Sequence, residues 1–138
     1  MSVFTPEIIA LAEEAESSLK ENTGLTLVIA ANYGGQWDIT ESAKKIAQNV
    51  ANGSINPENI NSALFNKYTS LSTLPKVDLL IRTSGEVRLS NFLLWDIAYS
   101  EFYFCNTLWP DFNEKALDNA IKDFHLRERR YGQHNGGA

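Results

Sequence analysis

The densest group of residues able to do chemistry is the segment Ile81-Arg82-Thr83-Ser84-Gly85-Glu86-Val87-Arg88-Leu89-Ser90-Asn91-Phe92. It leaves the apolar run Val77 to Ile81 and enters another at Phe92, so it reads as a loop from the carboxyl end of a strand into a helix start. Ligands of α/β sheets bind at such places. Arg82 and Arg88 can each offer a planar fork of N–H donors to one polyanion, and Ser90 adds a hydroxyl. Free backbone N–H groups at the following helix start would favour negative charge as well. Together these residue types describe a diphosphate cradle. Further on, Glu101 opens a short strand, and a carboxylate beside a bound diphosphate would share a magnesium ion with its oxygens.

Each of these residues also has a plainer reading. Arg82 and Arg88 could be ordinary surface arginines, with Glu86 between them as a local ion-pair partner. Ser90 or Asn91 could be no more than a helix cap. A single glutamate at a strand edge is usually solvated or paired. His125 and His134 have no partner at a spacing that suits a metal or a catalytic pair.

The elements that must position this segment follow from hydrophobic periodicity. Thr5-Pro6-Glu7 predicts a helix start, with Thr5 as cap and a run rich in Ala, Glu and Leu through Lys20. Residues 25 to 31, Leu-Thr-Leu-Val-Ile-Ala-Ala, predict a strand covered on both faces, the pattern of a parallel sheet. After Gly34-Gly35, the residues Ile39, Ala43, Ile46, Ala47 and Val50 recur at helical spacing. A weaker helix opens at Asn56-Pro57-Glu58, and Val77 to Ile81 predicts a second buried strand. Phe92 to Tyr99 predicts a compact apolar helix, and Glu101 to Phe104 a third strand. Asn113 caps a last helix with Leu117, Ala120, Ile121 and Phe124 on its apolar side. The expected fold class is therefore α/β, a mostly parallel sheet flanked by helices, in a single domain over residues 1–138 with a disordered tail at 133–138. Three strands make a thin sheet, and the Leu25–Ala31 run asks for neighbours that a larger domain would supply.

Composition excludes several functions. With 138 residues, 43% hydrophobic content and a net charge of -5, the chain can bury a core and has no bulk basic character for nucleic acid. Any anion site must be local. The single cysteine, Cys105, cannot pair internally and fits a reducing compartment. No apolar run reaches the roughly 20 residues of a membrane-spanning helix. Met1-Ser2-Val3-Phe4 is no basic-then-apolar leader, so the expected location is cytoplasmic.

Four stretches together resemble the undecaprenyl diphosphate synthases, the bacterial cis-prenyltransferases. Arg82 to Trp95 is similar to the family signature; Leu25 to Asp38 resembles its strand and Gly-Gly turn; Ala98 to Phe104, followed by Trp109-Pro110-Asp111-Phe112, resembles its glutamate-bearing strand; and Arg127 to Gly132 resembles its C-terminal basic motif. The resemblance runs from Phe4 to Gly132 and covers the C-terminal half of such a protein. It implies that Arg82, Arg88 and Ser90 hold the diphosphate of isopentenyl diphosphate and that Glu101 ligates Mg2+. It also implies that Arg130 and Gly132 belong to an arginine-any-glycine motif reaching a partner subunit's diphosphate site in a homodimer. The implied reaction joins isopentenyl diphosphate to an allylic diphosphate such as farnesyl diphosphate, making polyprenyl diphosphate for a cell-wall lipid carrier. The family's Met-Asp-Gly-Asn motif, whose aspartate sits at the allylic diphosphate, has no counterpart here, so no catalytic residue is assigned and weak or absent turnover by this chain alone is expected. The other reading is a non-catalytic diphosphate-binding or accessory subunit of a heteromeric prenyltransferase.

Overall fold

In the computed structural model, residues 4–128 are described. The chain falls into two compact units that part between Tyr33 and Gly34. In the first, α1 spans Pro6–Leu19, with proline in the first turn, where its missing N–H costs nothing. Thr5 occupies the cap position but makes no side-chain capping bond. Its side chain instead hydrogen-bonds Glu7, which holds that carboxyl below the usual carboxylate range.

The strand expected over Leu25–Ala31 is not formed. The run has no regular structure, and Leu25, Leu27 and Ile29 are 95, 77 and 80% exposed. A strand exists only by pairing its backbone with a neighbour. Among the described residues of this unit, α1 is the sole regular element, so nothing within it completes a ladder.

The second unit carries the remaining elements. Helix α2 spans Gly35–Ala51 and buries Ile46, as its spacing predicts. Its buried face is also polar: Ser42 Oγ donates to the carbonyls of Asp38 (2.8 Å) and Tyr68 (3.0 Å). Asp38 Oδ1 accepts from the N–H and the hydroxyl of Ser70 at 2.9 and 2.8 Å. These bonds tie α2 to the segment that follows α3, Ser62–Asn66. The weak helix expected at Asn56 is a 3-10 turn over Pro57–Asn59, with Asn56 accepting from the Glu58 N–H at 3.0 Å.

Strand β1, Leu79–Arg82, pairs parallel with β2, Glu101–Phe104, in a register running from Leu79 opposite Glu101 to Arg82 opposite Phe104. The sheet has two strands among the described residues, where the sequence predicted three. Helix α4, Glu114–His125, is capped by Asn113, whose Oδ1 accepts from the Ala116 N–H at 3.1 Å. It packs on β2 with Ala120 fully buried, while Leu117 and Ile121 stay 42 and 40% exposed.

The apolar helix expected over Phe92–Tyr99 is replaced by a chain of turns. Ser90, Asn91 and Leu93 have φ of 49°, 63° and 46°, on the opposite side of the Ramachandran plot from a right-handed helix. Short bonds then carry the chain, from the N–H groups of Asp96 and Ile97 to the Leu93 carbonyl at 2.9 and 3.1 Å. This path still buries Leu93 and Ile97. It also brings Leu94 onto Gly35, where an added Cβ would lie 2.9 Å from the Leu94 backbone nitrogen and 2.8 Å from its Cγ. Backbone cannot yield as a flexible side chain can. Gly35→Ala is therefore expected to destabilise the protein by about 1–3 kcal/mol despite alanine's better helix propensity, read as a lower urea midpoint; an unchanged midpoint would contradict the contact.

Candidate functional site

The root of the Arg82–Asn91 loop continues the sheet's hydrogen bonding beyond the strands. The Cys105 N–H donates to the Arg82 carbonyl at 3.0 Å, Gly85 N–H to Cys105 at 2.9 Å, and Ser84 N–H to Thr107 at 2.8 Å. Ser84 and Gly85 take positive φ, 68° and 71°, which turns the chain back over the strand ends. The loop folds on itself: Arg82 Nη1 donates to the Arg88 carbonyl at 2.6 Å, and the Arg88 guanidinium pairs with Glu86. The Arg88 side chain is 64% exposed. An exposed pair of this kind is worth about 0–1 kcal/mol, so it yields readily to a stronger anion.

Arg82 and Ser90 share the wall of a cavity of about 280 Å³, floored by Leu80, Ile81, Phe92 and Leu93. Two of the three candidate diphosphate ligands thus meet in one space, with Arg88 on the same loop beside them. The helix start expected to add backbone donors is absent, because the chain after Ser90 runs in turns.

Glu101 stands apart from this group along the sheet. In the parallel register it lies opposite Leu79, three residues before the level of Arg82, or about 10 Å along the strands. Its Oε2 accepts from Arg127 Nη1 at 3.1 Å, while Arg127 also pairs with Asp123, Nη2 to Oδ2, at 2.5 Å. The hydrogen bonds that Arg127 donates to Glu101 and Asp123 raise its pKa. Among the described residues no group of three or more His, Cys, Asp or Glu converges as a metal site. Magnesium held by one carboxylate and diphosphate oxygens needs no such group, and the hard oxygen donors of Glu101 suit that ion. Arg130 and Gly132 lie outside the described residues, as does the tail at 133–138.

A second cavity, of about 810 Å³, opens between α3 and the turns, lined by Asn66, Lys67, Lys76, Trp95, Asp96 and Tyr99 among others. Asn66 Oδ1 accepts from Trp95 Nε1 at 3.2 Å and also bonds the Lys76 ammonium. Asp96 is 9% exposed, and its Oδ2 has no hydrogen-bond partner. Desolvation pushes its carboxyl pKa up; the charge of Lys76 opposes this and that of Asp38 adds to it. Asp96 did not stand out in the sequence, and Arg127 did so only within the C-terminal basic motif; its partner Glu101 lies 26 residues away.

Parallel strands flanked by helices, with the arginine loop leaving a strand's carboxyl end, define an α/β protein. Residues 1–132 match the family model described as putative undecaprenyl diphosphate synthase, and the chain belongs to that prenyltransferase family. It is 49% identical over 131 residues to the ditrans,polycis-undecaprenyl-diphosphate synthase ((2E,6E)-farnesyl-diphosphate specific) of Aliivibrio fischeri, covering 95% of this chain and 51% of the relative. The enzyme of the same description from Photorhabdus laumondii is 58% identical over 111 residues, covering 80% of this chain and 44% of its own. Among solved structures, lavandulyl diphosphate synthase from Lavandula x intermedia, in complex with dimethylallyl diphosphate, superposes with a TM-score of 0.87 at 40% identity, covering 93% of this chain and 56% of that one. A probable undecaprenyl diphosphate synthase from Campylobacter jejuni gives 0.78 at 28% identity, covering 95% and 59%. The chain spans about half the length of the curated relatives it matches. No helix among the described residues is long and apolar enough to cross a membrane.

The buried carboxyl of Asp96 sets a pH dependence. Because its folded pKa is raised, the folded state holds the proton more tightly than the unfolded chain. Its contribution is fully present below the ordinary aspartate pKa, about 3.9, and is lost as pH rises through the folded value. Asp96→Asn should remove that decline and be the more stable protein at neutral pH. Thermal unfolding followed by circular dichroism between acid and neutral pH measures this; parallel pH profiles for the two proteins would contradict it.

Proposed function

We propose that this chain is the isopentenyl-diphosphate-binding part of a cis-prenyltransferase that condenses isopentenyl diphosphate with an allylic diphosphate, farnesyl diphosphate in the first instance. The observation that carries this reading is that Arg82 and Ser90 line one cavity running along β1, with Arg88 on the same loop. Family membership and the printed specificity of the relatives support it.

In this reading the two guanidinium groups neutralise the diphosphate, and the Ser90 hydroxyl donates to one of its oxygens. Arg88 exchanges Glu86 for phosphate, while Arg82 gives up the Arg88 carbonyl or keeps it as a strut. The apolar floor of Leu80, Ile81, Phe92 and Leu93 suits the short isoprenyl carbon chain. Held this way, the homoallylic double bond attacks the carbon from which the allylic diphosphate departs, and proton loss sets the new cis double bond. Glu101 would be the residue that holds magnesium, which when bound would neutralise diphosphate charge. Arg130 and Gly132 complete the site of a second subunit in a homodimer, Gly132 giving phosphate close access to backbone N–H. The polyprenyl diphosphate product serves a lipid carrier for cell-wall glycans, made in the cytoplasm. An accessory subunit would have no use for its own arginine loop, so the enzyme reading is preferred.

Isothermal titration of isopentenyl diphosphate into the chain with magnesium tests the reading. Arg88→Ala should weaken binding by roughly tenfold or more, the worth of one charge-assisted contact. Titration curves that coincide for the two proteins would reject the diphosphate assignment.

A further inference from the structure

Helix α2 begins without a capping side chain of its own, because Gly34 holds the cap position. The first N–H groups of a helix have no acceptor inside it. Two of them are satisfied by a residue far along the chain. The Gly35 N–H donates to the Asn91 carbonyl at 2.7 Å. The Gln36 N–H donates to Asn91 Oδ1 at 2.8 Å. Asn91 thus caps a helix 55 residues before it and not the one its position in the sequence suggested. The fit is close, since a Cβ on Gly34 would sit 3.0 Å from Asn91 Nδ2. Helix α2 is itself held through Asp38, Ser42 and their partners at Tyr68 and Ser70.

Asn91 directly follows Ser90, and both are left-handed, at φ 63° and 49°. Asparagine tolerates that conformation better than most residues, whereas for serine it costs roughly 1–2 kcal/mol. Something outside the loop must hold the pair there, and the two bonds to α2 are placed to do so. The Arg88 carbonyl that accepts from Arg82 lies two residues before this turn, and Ser90 lines the same cavity as Arg82.

We propose that Asn91 is a positioning residue for the diphosphate: through α2 it fixes the left-handed turn that aims Ser90 and Arg82 into their shared cavity, without touching the ligand. This rests on the diphosphate reading of the loop given above. Linkage makes the effect reciprocal, so ligand on the loop also tightens the bond to Gln36.

The test uses the full chain and three variants. Asn91→Gly keeps the backbone free to be left-handed but deletes the side-chain acceptor. Arg88→Ala removes a proposed ligand, and Asn113→Ala weakens the cap of α4 as a stability control. Isopentenyl diphosphate affinity is measured by titration, and exchange of the Gln36 amide by NMR with and without ligand. Asn91→Gly is expected to weaken binding roughly five- to tenfold, to speed Gln36 exchange, and to abolish the extra protection that ligand confers on the native protein. Arg88→Ala should weaken binding while leaving Gln36 protection in the free protein unchanged, and Asn113→Ala should alter neither. Native affinity in Asn91→Gly beside weakened Arg88→Ala would overturn the role of Asn91 and leave the loop's function standing. Equal weakening by Asn91→Gly and Asn113→Ala would also overturn it, as a mere loss of stability. No binding by the native chain, or native affinity in Arg88→Ala, would overturn the diphosphate reading and the role of Asn91 with it.

Discussion

Two parallel strands cannot be joined by a tight turn, because the chain leaving the carboxyl end of the first must return to the amino end of the second. In this protein the return runs from Thr83 to Ser100, between β1 and β2. Arg82 closes β1, and the rest of the candidate loop lies on that return path. An ordinary crossover helix would bury its own apolar stripe and satisfy its own backbone. Here the path is a series of turns with left-handed residues, so its backbone needs partners elsewhere. It finds them at Cys105 and Thr107 beyond β2 and at the start of α2.

The position of α2 follows from the same requirement. Gly35 admits the Leu94 backbone, and the buried Asp38 and Ser42 lock the helix to residues 68–70. A helix with a purely apolar buried face could slide by a fraction of a turn at little cost. Directional bonds at 2.8–3.0 Å permit no such freedom. The loop is therefore seated on an element that is fixed in both rotation and translation, which the proposed anion site would require.

Charge is distributed to match. The chain is acidic overall, at -5, yet the arginine loop gathers two guanidinium groups with only Glu86 paired against them in the loop itself. Arg127, by contrast, is committed twice, to Glu101 and Asp123, and joins α4 to the first residue of β2. That bridge gives Glu101 a fixed place at the far end of the sheet from the loop. Asp96 is the opposite case: a carboxyl kept from water with one oxygen unpartnered, its charge opposed by burial.

Local patterns were legible wherever the physics is local. Pro6 and Asn113 marked helix starts, Ile46 and Ala120 marked buried faces, and the order of β1, loop and β2 placed Arg82 at the end of β1 and Arg88 and Ser90 on the connection that follows. The family resemblance read in the residues agrees with the family match over residues 1–132. Two expectations failed for one reason. The apolar content of Leu25–Ala31 and of Phe92–Tyr99 reports a tendency to be buried, but not the backbone partners that make a strand or the left-handed turns that forbid a helix. Asn91 illustrates the remainder: its type announced a cap, and composition could not say of which helix, because a hydrogen bond across 55 residues depends on where folding brings two backbones together.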